Sequence, residues 1–155
     1  MTLSVARPED HHSVTGAPIP VVASTTSAIP LMLYSVPAGF PSPADDYIED
    51  VLDLNRHLIR QGHEAATFVL RVSGWSMLGA GIHDGDEIVV DRAIEPRPGH
   101  VVIAIRHGEL TVKRLKVHAG KLLLAPENPH FSEIELKDGE EWSIWGVATR
   151  VLHKL

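Results

Sequence analysis

Past its midpoint the chain sets apolar residues in short runs, with glycine, aspartate and proline between them. Phe68 to Val72 reads as a strand. Ile82 leads into a tight turn at His83-Asp84-Gly85-Asp86, and Glu87 to Asp91 reads as the next strand. Val101 to Ile105 and Leu110 to Val117 form a hairpin across Arg106-His107-Gly108-Glu109. Lys121 to Ala125, Ile134 to Leu136 and Trp142 to Leu152 supply three more strands. Short strands, frequent turns and no long helix predict a mainly β body of sandwich or barrel type. No internal repeat is visible.

The first third follows a different rule. Residues 1–38 read as an extended arm, because Pro8, Pro18, Pro20, Pro30 and Pro37 break any helix and 21–28 is small and polar. One apolar patch, Leu31, Met32, Leu33, Tyr34 and Val36, suits either addition to a sheet edge or docking in a groove. Gly39-Phe40-Pro41-Ser42-Pro43 is a turn cluster where the composition changes. Ser42 is a candidate helix cap and Pro43 a first helical residue. Ile48, Val51, Leu52, Leu54 and Leu58 predict one short helix ending before Gly62, with Asp45, Asp46 and Glu49 at its positive end. The expected organisation is an arm over 1–38, a linker with a short helix over 39–67, and a β-rich domain over 68–155.

Composition narrows the function. At 155 residues, 44% hydrophobic and 22% charged, the chain is long enough to bury a core. A net charge of −6 speaks against a protein that coats nucleic acid through a basic face. With no cysteine, disulfide, thiolate and zinc–thiolate chemistry are excluded. There is no signal-peptide pattern and no membrane-length apolar run, so the chain is read as soluble and cytoplasmic.

Candidate chemistry centres on Ser73-Gly74-Trp75-Ser76-Met77. Glycine before the serine permits unusual torsions, so Ser76 can stand free at a turn beside a backbone N–H able to meet an oxyanion. On its own Ser-Gly-x-Ser is weak evidence, since most such serines are turn formers. In the strand Leu110 to Val117, one face carries Thr111, Lys113, Leu115 and Val117, which places Lys113 among apolar neighbours. A buried lysine tends toward the neutral amine, which can take a proton from a serine hydroxyl. Periodicity leaves the alternative open, that Lys113 joins Arg114 and Lys116 in a solvated basic strand. The histidines suggest no better triad. His83 lies in a turn expected to be exposed, and His57, His63, His100, His107, His118, His130 and His153 show no ligand-like pairing. His11-His12 reads as a solvated pair lacking a third ligand. Asp84, Asp86 and Asp91 are explained by a turn followed by a strand. No metal or cofactor site is predicted.

These motifs, with Gly81-Ile82, Asp84-Gly85-Asp86, Thr111-Val112-Lys113-Arg114-Leu115 and Trp145-Gly146-Val147, resemble the catalytic domain of the LexA/UmuD self-cleaving serine peptidases. The spacing of 37 residues from Ser76 to Lys113 fits that family. Gly39-Phe40-Pro41-Ser42-Pro43-Ala44, Asp46-Tyr47 and Asp53-Leu54-Asn55 are similar to its UmuD-like members. The resemblance covers roughly residues 38–155. It implies a fold of short, strongly bent strands with one short helix and an extended N-terminal arm.

The same resemblance makes Ser76 the nucleophile, Lys113 the general base and Ala38-Gly39 the scissile bond. Pro37 beside that bond departs from the pattern, since it fixes a torsion and removes an N–H. The resemblance further implies a homodimer, cleavage stimulated by a RecA–single-stranded DNA filament, and a product that serves a UmuC-like translesion polymerase in the SOS response. No direct sequence-specific DNA binding and no membrane attachment are expected. Three other readings compete. A LexA-type regulator needs a helix-turn-helix that the Pro- and Ser-bearing arm does not supply. A signal peptidase needs a membrane anchor. A catalytically idle β-rich interaction module keeps the fold without the chemistry.

Overall fold

The computed structural model describes residues 14–20, 28–32 and 48–155, with side chains from residue 51 onward. The chain divides into two compact units, 21–65 and the remainder.

In the smaller unit, β2 (Ala28–Met32) pairs antiparallel with β3 (Ile48–Asp53), and α1 (Leu54–Leu58) follows directly. This corrects the expected helix, whose first residues form a strand instead. The partner strand satisfies the backbone of 48–53 in a ladder, and such pairing overrides local periodicity. The helix starts where its cap is: the Asp53 carboxylate accepts the Asn55 N–H at 3.0 Å. Leu31 and Met32 of the arm's apolar patch thus fall in a small two-stranded sheet; Leu33, Tyr34 and Val36 lie outside the described residues. Ser42, Pro43 and His11-His12 lie outside the described residues.

The larger unit is an antiparallel sheet in the order β1-β4-β5-β10-β6-β7-β8-β9. Its strands are β1 (Val14–Pro20), β4 (Thr67–Val72), β5 (Glu87–Asp91), β6 (Val101–Arg106), β7 (Glu109–His118), β8 (Lys121–Ala125), β9 (Ile134–Glu135) and β10 (Trp142–Leu152). The strands expected from Phe68 onward are all present within a residue or two. β1 was not expected, because Pro18 and Pro20 argue against a strand. It survives as the edge strand, with an irregular register between Thr15 and Ile19, which is where a sheet tolerates proline. The β6–β7 turn is a two-residue one at His107 and Gly108, both at positive φ.

β10 is the bent spine. Its first half pairs with β6 and its second half with β5, and a register shift interrupts each ladder. The bend lets the sheet curl around a core made by Leu70 and Val72 of β4, Ile88 and Val90 of β5, Ile103 of β6, Val112 of β7, and Met77 and Ile82. A second cluster on the other face joins Val102, Ala104, Leu115, Leu124 and Val147. With apolar partners on both faces, β6 is a buried strand and reads as a continuous apolar run.

Candidate active site

β4 and β7 stand four places apart in the sheet, roughly 19 Å if it were flat at about 4.8 Å per strand. The curl and the loop 73–81 remove that distance. Lys113 Nζ lies 3.0 Å from Ser76 Oγ, and the two residues are only 4% and 3% exposed. The ammonium or amine also donates to Thr111 Oγ1 and the Val112 carbonyl, each at 3.2 Å. Lys113 is thus no member of a solvated strand. Lys116 is exposed, and Arg114 is partly buried and pairs with Glu127. The apolar face expected around Lys113 ends at Leu115, since Val117 is exposed.

The loop that carries Ser76 is pinned from three sides. At its start, Gly74 adopts φ 95° and its N–H donates to Asp84 Oδ1 at 2.7 Å. In the middle, the Ser76 carbonyl accepts the Glu127 N–H at 2.8 Å, and the Glu127 carbonyl accepts the Gly79 N–H at 2.6 Å. Asn128 Nδ2 donates to the Trp75 carbonyl at 2.8 Å. The 3₁₀ turn Leu78–Ala80 closes the loop through the Trp75, Met77 and Leu78 carbonyls, which leaves the Ser76 and Met77 N–H groups outside that network. Glu127 and Asn128 are the site residues that sequence reasoning missed. The only local signal there is an Asn-Pro turn, which says nothing about a partner loop some fifty residues earlier.

Of the other candidates, Asp84 is an exposed residue that caps Gly74, while Asp86 and Asp91 are buried. Asp91 accepts the Ala93 N–H at 2.8 Å. His83 is half-buried rather than free in a turn, and His153 comes to the same place from the end of β10. The two rings lie 4.9 Å apart between centroids. The expectation that no histidines pair is therefore corrected. Asp86 accepts the His83 N–H at 2.7 Å and faces His153 Nδ1 at 2.5 Å. Burial opposes its charge, but the His83 N–H and His153 outweigh that and hold the carboxyl below the ordinary carboxylate range. Ala38 and Gly39 lie outside the described residues. Among the described residues, no helix is long and apolar enough to cross a membrane.

Comparison with known proteins gives the site a context. Residues 30–149 match the model of the Peptidase S24-like family. Protein SamA of Salmonella typhimurium is 47% identical over 128 residues, which is 83% of this chain and 87% of SamA. Protein MucA of Escherichia coli is 44% identical over 131 residues, covering 84% of this chain and 88% of MucA. The LexA repressor of Frankia alni is 41% identical over 139 residues, covering 90% of this chain and 53% of the repressor.

Proposed function

The chain belongs to the Peptidase S24-like family, as a UmuD-like member of its LexA/UmuD branch, and we propose that it cuts its own backbone between Ala38 and Gly39. The observation that carries this reading is the 3.0 Å contact between two buried side chains, Ser76 Oγ and Lys113 Nζ. A hydroxyl is a weak nucleophile until a neighbouring base takes its proton, and burial favours the neutral amine that can do so. Thr111 Oγ1 and the Val112 carbonyl orient that amine.

In the proposed reaction, Ser76 Oγ attacks the Ala38 carbonyl carbon while its proton passes to Lys113 Nζ. The tetrahedral oxyanion is met by the backbone N–H groups of the 76–77 segment. The C–N bond breaks, Lys113 returns the proton to the departing Gly39 amine, and Ala38 remains as an ester on Ser76. Water, deprotonated by the same lysine, then releases the Ala38 carboxylate. Because the scissile bond is tethered to the site, a high effective concentration compensates for a modest dyad. Residues 1–38 are the segment removed, 39–67 the connecting linker, and 68–155 the catalytic body.

The biological role follows from the family resemblance. We assign the chain to SOS mutagenesis as a cytoplasmic homodimer that meets a RecA–single-stranded DNA filament after damage. The shortened product then serves a UmuC-like translesion polymerase. The test is incubation of purified wild-type chain and Ser76→Ala at alkaline pH. The wild type shortens and Ser76→Ala stays intact. Equal shortening of both overturns the reading, and equal persistence of both favours the idle interaction module. A LexA-like regulator without its DNA-binding domain draws support from the match to about half of the Frankia alni repressor.

A further inference from the structure

We propose that His83, Asp86 and His153 form a site for a divalent late transition-metal ion, with Zn²⁺ as its representative, on the sheet body and separate from the Ser76–Lys113 pair. Three donor atoms, one from each residue, lie within 4.8 Å of one another. Two imidazoles and one carboxylate are a borderline donor set that suits zinc, nickel, cobalt or copper, and such a set leaves positions open for water.

The parts are unequal in burial. Asp86 is buried and accepts the His83 N–H, while the two imidazoles are 44% and 47% exposed. An ion with bonds of about 2.0–2.2 Å holds its donors roughly 3.3–3.5 Å apart. His83 Nδ1 already stands 3.5 Å from Asp86 Oδ2, and an ion there requires His153 to lengthen its 2.5 Å contact with Oδ1.

An independent observation points to a missing partner. His83 Nδ1 is shielded from solvent and has no hydrogen-bond partner among the described residues, although it faces the carboxylate. An ion on the carboxylate supplies one. Bound there, the ion fastens the end of β10 to the β4–β5 turn. Asp84 of that turn holds Gly74 at the head of the nucleophile loop.

The test titrates Zn²⁺ into chelator-stripped full chain, followed by calorimetry and by thermal melting. The wild type takes up a single ion and its melting temperature rises. His83→Ala and His153→Ala each weaken uptake by at least about tenfold and abolish the rise, while His11→Ala with His12→Ala leaves both intact. Wild type that takes up no ion, or uptake unchanged in His83→Ala and His153→Ala, overturns the site. A second readout needs no variant. Zn²⁺ shields His83 and His153 from diethyl pyrocarbonate, read by peptide mass spectrometry, while the other histidines react; equal reaction at all histidines overturns the site. None of these readouts involves self-cleavage, so failure of the metal site and failure of the peptidase reading are distinguishable.

Discussion

Ser76 and Lys113 meet in the interior of the curled sheet, whereas His83 and His153 meet at its surface around one buried carboxylate. In the first pair both side chains are shut away from water; Ser76 Oγ accepts from Lys113, which also donates to Thr111 Oγ1 and the Val112 carbonyl. In the second cluster Asp86 is buried, while the two rings are about half exposed to solvent. Burial of both partners suits chemistry on a tethered substrate. A buried anchor with exposed ligands suits reversible capture. The difference teaches that burial of each group, more than the count of polar groups gathered, separates a reacting pair from a binding cluster.

Substitutions can break this contrast. The largest effect is expected at the dyad itself. Ser76→Ala and Lys113→Met each slow self-cleavage by at least ~10³-fold in a time course of chain shortening. Lys113→Met carries a second expectation, because replacing a buried charged group by an apolar one of similar length is often neutral or stabilising. Its melting temperature equals or exceeds that of the wild type, which separates loss of chemistry from loss of fold.

Next comes Gly79→Ala. A Cβ at that position meets the Glu127 carbonyl oxygen at 2.7 Å, and backbone there cannot yield cheaply. The variant loses about 1–3 kcal/mol in denaturant unfolding and cleaves more slowly, since the same carbonyl holds the nucleophile loop. Thr111→Val has a smaller effect. It removes one hydrogen bond to Lys113 and slows cleavage by about two- to tenfold with little change in stability. The smallest effect is at His153→Ala, which leaves the rate of self-cleavage in metal-free buffer unchanged. A large loss of rate there would join the two clusters into one machine and dissolve the contrast.

Much of the fold is legible in the sequence. Strands from Phe68 onward announced themselves, since their alternation and turn residues agree with the pairing they adopt. Ser76 and Lys113 stand out through the family resemblance of their two motifs, since the loop tetrapeptide and the strand period alone leave each role open. The helix was misplaced because apolar spacing at 48–58 fits two structures, and only the partner strand 28–32 decides between them. β1 was hidden by its prolines, which exclude a central strand but not an edge. Glu127 and Asn128 reach the Ser76 loop through the curl of the sheet, while His153 reaches His83 because the β5–β10 ladder sets Leu152 opposite Glu87. Curl depends on where β10 changes partner, a long-range property that no local window of sequence contains.

The account's central claim is that one buried amine makes one buried hydroxyl cut the chain at a single bond. Intact mass spectrometry of the purified chain, sampled through incubations from neutral pH to about pH 10, addresses it directly. The predicted result is a product that begins at Gly39 and forms faster as the pH rises and the amine loses its proton. A rate flat across that range, a product that begins elsewhere, or a chain that stays whole throughout contradicts it.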